Sequence, residues 1–441
     1  MPSARPSDLS IGIDFGTSNT VVALARPDGR VETVRFDHDG TMLDVYVSAL
    51  CFWDEGRGRG LPVRVEGGPW AIDRFLEGRT AHRFIQSFKS FAASATFQDT
   101  RIFGERFRFE DLLAAFLRTL TRHAGPDFAL ENAKVVLGRP VRFAGSRPDE
   151  ALAMSRYRTA FGGLGAGHAE YVYEPVGAAF FYARSLDRDA TVLVADFGGG
   201  TSDFSVMRFS RAAGDLKAEP LGHAGIGLAG DAFDYRIVDR VVSPRLGKGG
   251  SYRSMGKVLA IPNHYYANFA RWNQLAMMKG TRDLKELREL ARQALEPEPL
   301  QTFIDIVELD LGFALYRAVS EAKIALSSQD ETRFLFRAAG VTIESTITRA
   351  DFESWIAEDV ERIAETVDEA LWSAGVEAGE IERVFLTGGT SFVPAVRRLF
   401  AERFGEDRLT TGEQFSSIAH GLALVGQTAD PSRWAAGGSS A

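Results

Sequence analysis

Apolar residues follow two rhythms along this 441-residue chain. Short continuous runs end in glycine turns, and longer stretches repeat at three- and four-residue spacing. The clearest short runs are Ile11-Gly-Ile-Asp-Phe-Gly-Thr-Ser-Asn-Thr-Val-Val22 and Val194-Ala-Asp-Phe-Gly-Gly-Gly-Thr-Ser-Asp-Phe-Ser-Val206. Both read as strand, Asp-Phe-Gly, tight turn, small polar residues, strand, which is a β-hairpin pattern. The second copy reads as carrying two extra glycines. Such a recurrence predicts two related lobes, each offering one glycine turn. A third run, Glu382-Arg-Val-Phe-Leu-Thr-Gly-Gly-Thr-Ser-Phe-Val-Pro-Ala-Val-Arg397, reads as strand, Gly388-Gly389 turn and helix, with Pro394 suited to the first helical turn. The longer rhythm predicts a helix over residues 281–295, with Leu284, Leu287, Leu290/Ala291 and Ala294/Leu295 on one stripe. Another helix opens at Thr348-Arg-Ala-Asp351, carries Phe352, Ile356, Val360, Ile363, Val367 and Leu371 on one face, and stops at Gly375. Both stripes read as core faces.

A glycine turn between strands is either a plain hairpin or a phosphate cradle, in which missing Cβ atoms let backbone N–H groups approach an anion. Two copies, each led by a strand-end aspartate, favour the cradle. An acid beside a phosphate loop suits Mg²⁺, which takes a few carboxylates, several waters and phosphate oxygens. The third turn adds free N–H groups at the positive end of a helix. The dinucleotide fingerprint does not fit, because these glycines lead into a strand rather than a helix. A protein-kinase DFG does not fit either, since no HRD catalytic loop occurs.

Taken together, the three motifs resemble the nucleotide-binding lobes of the 70-kilodalton heat-shock chaperones of the DnaK type, and more broadly the actin, sugar-kinase and chaperone ATPase superfamily. Glu174-Pro-Val-Gly-Ala-Ala179 looks like the family's connecting helix. Gly225-Ile-Gly-Leu-Ala-Gly-Asp-Ala-Phe-Asp234 resembles its LGGEDFD segment, and Ala322-Lys-Ile-Ala-Leu-Ser-Ser328 its AKRTLSS helix. These segments reach from residue 11 to about 425, and look most like the short, YegD-like branch.

The resemblance implies an α/β, two-lobed actin-like ATPase of duplicated ribonuclease-H-like lobes, with ATP or ADP and Mg²⁺ in the cleft between them. It implies that Asp14 and Asp196 orient the metal. Gly16, Thr17, Ser18 and Asn19 would hold phosphates in the first turn, and Gly198, Gly199, Gly200 and Thr201 in the second. Thr201 also joins the catalytic set: Asp14 and Asp196, Lys89 at the γ-phosphate, Glu174 positioning the attacking water, and Asp203 as a further carboxylate. Gly230, Asp231, Lys323, Ile324, Ser327, Gly388, Gly389, Thr390 and Phe392 complete the implied nucleotide contacts. Two places depart from the family. Ser320 and Ile324 stand where it has a Glu and an Arg, and Phe392 where it stacks an arginine on adenine. The base would then lie between Ile324 and Phe392, and stacking on an aromatic ring contributes about 1–3 kcal/mol per base.

The implied activity is slow ATP hydrolysis whose nucleotide state drives lobe closure for a protein client or co-chaperone. Two other readings stay open: a nucleotide-gated scaffold with little turnover, and a small-molecule kinase using Asp203. Lobe I is expected over 9–186 with an insertion near 38–110, and lobe II over 187–428 with an insertion near 235–310. Gly56-Arg-Gly-Arg-Gly60 reads as a loop tip, Asn263 to Trp272 as an aromatic segment, and Arg245 to Lys257 as a solvated basic loop. Residues 429–441 read as a disordered tail, leaving no room for a peptide-binding domain. Composition fits a globular chain, with 45% apolar residues and 32 Phe. A net charge of −8 argues against wholesale nucleic-acid binding. One cysteine, Cys51, excludes an internal disulfide and fits a reducing compartment. No apolar run is long enough to span a membrane and no signal peptide is read, so a cytoplasmic location is expected. The seven His show no metal-ligand spacing.

Overall fold

In a computed structural model that describes residues 9–54, 63–77, 81–125, 128–145, 147–183, 188–212, 215–267, 275, 278, 282–411 and 416–435, the two hairpins seed two sheets of the same topology. The first sheet holds β1 (Ser10–Phe15), β2 (Asn19–Ala25), β3 (Val31–Thr33), β4 (Lys134–Arg139) and β5 (Glu170–Tyr173), in the order β5-β4-β1-β2-β3, with Tyr46–Val47 also pairing β2. The second holds β6 (Ala190–Phe197), β7 (Ser202–Ala212), β8 (Asp215–Ile226), β9 (Arg383–Thr387) and β10 (Leu409–Thr411), in the order β8-β7-β6-β9-β10. Each begins as a three-stranded antiparallel meander. Two later strands then add in parallel on the far side of the first strand. Parallel addition needs crossovers, and helices supply them.

Matching register corrects one sequence expectation. Asp14 lies opposite Val21, and Asp196 opposite Asp203. Both turns close on the same bond, Gly16 N–H to Asn19 O at 3.0 Å and Gly198 N–H to Thr201 O at 2.9 Å. The turns are therefore of equal length, and Gly199 and Gly200 replace Thr17 and Ser18 rather than being inserted. Turn length fixes hairpin register, so Thr201 corresponds to Asn19 and Asp203 to Val21. The second aspartate is peculiar to the second copy.

The helices that matter are α1 (Phe109–Ala124), α2 (Glu150–Gly162), α3 (Glu174–Ala183), α4 (Arg282–Gln293), α5 (Gly312–Ser328), α6 (Arg349–Ala374), α7 (Pro394–Phe404) and α8 (Ser417–Gly426). Glycines let α8 lie directly on two backbones. A Cβ on Gly421 would stand 1.6 Å from Gly177 O of α3, and one on Gly12 of β1 would stand 2.1 Å from Ala419 O. Val136, Val172, Val176, Val192, Val194, Phe385 and Leu422 form one core across these contacts. A second core, on the first sheet, is aromatic: Phe15 meets Phe88 at 5.5 Å, Phe116 at 5.6 Å and Tyr157 at 6.2 Å.

Contacts divide the chain into two compact units. One is Met1–Leu228 with Ile363–Ser391 and Arg397–Ala441, and it contains both sheets. The other is Ala229–Arg362 with Phe392–Val396. In the latter, α4 buries Leu284, Leu287 and Ala291 as its stripe predicts. It stops at Gln293, where Ala294 bridges to Tyr252, and Leu295 is left exposed. The basic stretch read as a loop contains half a hairpin, Ser251–Ser254 paired with Lys257–Ala260. Helix α6 opens on a Thr348 cap, with Asp351 N–H donating to Thr348 Oγ1 at 3.1 Å. It buries Phe352, Ile356, Ile363, Val367 and Leu371, while Val360 is half-buried. Residues 430–435, expected in the tail, are folded. Pro431–Trp434 form a 3₁₀ turn, Trp434 sets its edge on Phe180 at 4.9 Å, and Ala435 bridges Val172. The Gly56–Gly60 tip, residues 268–272 of the aromatic segment and residues 436–441 lie outside the described residues.

Candidate functional site

The first unit brings the implied phosphate and catalytic residues together. Strand β1 delivers Asp14 to its end and turns through Gly16, Thr17, Ser18 and Asn19. Ser48 braces that turn, its N–H donating to Ser18 O and its hydroxyl to Gly16 O, both at 2.8 Å. Strand β6 delivers Asp196 and turns through Gly198, Gly199, Gly200 and Thr201. The two turns face each other, since a Cβ on Gly200 would lie 3.5 Å from Thr17 Oγ1. Beside them Gly388, at φ 83°, could not bear a Cβ, which would stand 1.9 Å from Phe197 O. It opens the third turn, Gly389–Phe392. Lys89 sits in a 3₁₀ turn, Phe88–Phe91, and donates from Nζ to Glu174 Oε1 at 2.8 Å. Glu174 is the first residue of α3, so helix and salt bridge both fix it. Asp203 Oδ1 accepts from Val141 N–H at 2.7 Å and Arg142 N–H at 3.2 Å. Its Oδ2 is buried and has no hydrogen-bond partner among the described residues.

Among the described residues, four buried or partly buried carboxylates, Asp14, Glu174, Asp196 and Asp203, gather here, and Lys89 pairs directly with Glu174 alone. Burial, then Glu174, pushes Asp14 up to about 7, against Lys89. Asp203 is likewise pushed up to about 7 by burial and Glu174, with its accepted hydrogen bonds acting the other way. Asp196 is raised by burial, Glu174, Asp14 and Asp203. Burial alone would lower the Lys89 ammonium, but Glu174, Tyr157 and Asp14 outweigh it and hold it protonated. A site with this charge excess and an unpartnered carboxylate oxygen fits a divalent cation with oxygen ligands. The second turn also fits a phosphate. Gly198 and Gly200 do not have positive φ, and a Cβ on either would make only ordinary contacts with protein. The fold does not require these glycines, which leaves the room they make for a non-polypeptide group.

The remaining implied residues, Thr390 apart, belong to the second unit. Gly230 and Asp231 open the helix Gly230–Ile237, and Lys323, Ile324 and Ser327 lie on α5. Lys323 Nζ is engaged by Asp234 Oδ1 at 2.9 Å and by Gly230 O at 3.2 Å, and Ser327 donates back to Lys323 O at 3.3 Å. Ile324 is 65% and Phe392 37% exposed, so both apolar side chains are available to a ligand. Thr390 is buried in the first unit.

A family model described as "Hsp70 protein" matches residues 76–248 and 308–434. The chain belongs to the Hsp70 family. Among curated Hsp70 relatives, the chaperone protein DnaK of Thermotoga neapolitana is 25% identical, covering 96% of this chain and 59% of its own length. DnaK of Thermus thermophilus is 25% identical over 94% of this chain and 60% of its own. The stromal 70 kDa heat shock-related protein of the Pisum sativum chloroplast is 25% identical over 95% of this chain and 53% of its own. The chain thus spans between half and three-fifths of the length of these Hsp70 relatives. The duplicated sheets fit the two-lobed actin-like ATPase fold of the family.

Several contributors to this candidate site carry no motif. Ser48 and the Val141 and Arg142 amides are visible only once the sheets are assembled. Elsewhere, His38, Asp39 and Asp73 bring ligand atoms within 4.8 Å of one another, across a spacing that hides them in sequence. His38 Nε2 is hydrogen-bonded to Asp73 at 2.6 Å.

Proposed function

We propose that this chain is a Mg²⁺-dependent ATPase of the Hsp70 type, coupling nucleotide state to a protein client or co-chaperone. The observation that carries the reading is the convergence, in one unit, of two equal glycine turns on four carboxylates and one buried lysine. Asp14 and Asp196 would hold the metal, which neutralises phosphate charge when bound. Phosphoryl transfer needs mainly positioning and charge stabilisation, and the remaining residues supply both. The turn amides and the Thr17, Ser18 and Thr201 hydroxyls hold phosphate oxygens. Lys89 Nζ, kept charged and aimed by Glu174, faces the transferred group. Asp203 Oδ2 is an acceptor for the attacking water, and Glu174 bounds the place that water occupies.

Ile324 and Phe392 receive the base. Phe392→Ala is expected to weaken ATP binding by about 1–3 kcal/mol, the scale of one lost base stack, while Phe392→Trp retains it. Titration calorimetry with ATP, ADP and GTP, with and without Mg²⁺, tests the reading. Binding of ATP that weakens on chelation supports it. Absence of binding to any nucleotide would remove it and leave a likeness of fold alone.

A further inference from the structure

The loop that carries Lys89 is held from outside by a residue with no part in the motifs. Arg156 of α2 is buried, at 8% exposure, and no ion pair engages it among the described residues. Its guanidinium instead donates to four backbone carbonyls of one loop. Nη1 reaches Phe91 O at 2.9 Å, Ala92 O at 2.8 Å and Ser94 O at 3.2 Å, and Nη2 reaches Phe97 O at 2.5 Å. Phe91 closes the 3₁₀ turn of Lys89, and Ala92 N–H donates to Lys89 O at 3.0 Å. The same helix ties the loop a second time at its start, through Asp149 N–H to Ala93 O at 2.9 Å.

The loop needs such a hold. Ser87, just before the turn, sits at φ 53°, a left-handed conformation that a non-glycine residue keeps only when its surroundings enforce it. A buried charge is costly unless hydrogen bonds satisfy it, and a planar five-donor fork can satisfy itself on several carbonyls at once. A lysine offers three donors at one point and cannot span them. The neighbouring residue, Tyr157, places its ring against Phe15 beneath Lys89, so α2 supports the lysine from two successive positions.

We propose that Arg156 is a positioning residue for Lys89, fixing the ammonium through the carbonyls of residues 91–97. This rests on the hydrolysis reading for its effect on rate, but not for its effect on the loop. Phosphate release is measured for wild type, Arg156→Gln, Arg156→Lys, Lys89→Met and the double variant Arg156→Gln/Lys89→Met. Arg156→Gln is expected to lower kcat about tenfold to a hundredfold, the scale of a small misplacement, with KM for ATP nearly unchanged. Arg156→Lys falls between it and wild type. In the Lys89→Met background the Arg156 change adds nothing, because the group it positions is gone. Equal losses in both backgrounds, or an unchanged kcat, would overturn the proposal.

Should wild type show no turnover, the hydrolysis reading fails while the proposal is still decided by acetylation of Lys89 with N-hydroxysuccinimidyl acetate, read by peptide mass spectrometry. Arg156→Gln is expected to raise the Lys89 rate about tenfold, as local opening of a buried loop does, and to leave that of exposed Lys257 unchanged. Equal Lys89 rates would overturn it. If Arg156→Gln does not fold, Arg156→Lys carries the same readouts.

Discussion

Lys89→Met should lower phosphate release by about 100-fold or more, the usual loss when one preorganised charge donor is removed from a water-poor site. Lys89 stands close to Glu174 and Asp14, and its bond to Glu174 is buried at both ends. The same change strands Glu174, and leaving a buried charge unpaired costs about 3–5 kcal/mol. A low rate could then reflect poor folding. The double variant Lys89→Met/Glu174→Gln, read against Glu174→Gln alone, separates the two effects, because it removes the stranded charge while the single variant gives the share of Glu174 itself. The double variant's urea midpoint should return toward wild type while phosphate release stays low. Recovery of both would mean that Lys89 matters only for stability.

Gly421→Val should destabilise the first unit by about 3 kcal/mol or more, above the ordinary cost of overpacking because the clash is with backbone. Here α8 crosses α3 with no side chain between them, and a Cβ on Gly421 would overlap Gly177 O at 1.6 Å. Separation of the helices would also disturb Glu174 at the start of α3. Gly379→Ala is the control. Nothing lies within 4 Å of its Cβ and its φ is ordinary, so a change within about 0.5 kcal/mol is expected. Urea unfolding followed by tryptophan fluorescence compares them. A Gly421→Val midpoint equal to that of Gly379→Ala would mean that the two helices are not in the contact described.

The parts of this fold written in short-range pattern were legible. The two Asp-Phe-Gly hairpins, the third glycine turn before Pro394, and the α6 stripe capped at Thr348 each follow from local periodicity and turn chemistry. Equal turn length was not legible, because Thr-Ser occurs in both copies at shifted positions, and only the hydrogen bonds at Gly16 and Gly198 decide the alignment. Leu295 continues the heptad-like rhythm of α4, yet the helix ends two residues earlier under the Tyr252 bridge and Pro297. Trp434 was lost in a Gly/Ser-rich context that gave no sign of the Phe180 contact. Arg156 and Ser48 carry no signature because their targets are backbone atoms about 60 and 30 residues away.

Phosphate release from the purified chain under saturating Mg-ATP, beside Asp14→Ala and Thr201→Ala, tests the central claim most directly. The account predicts slow, multiple turnover by wild type that is abolished by chelating Mg²⁺ and lost in both variants. Tight Mg-ATP binding with no release by wild type, or release unchanged in both variants, would contradict it.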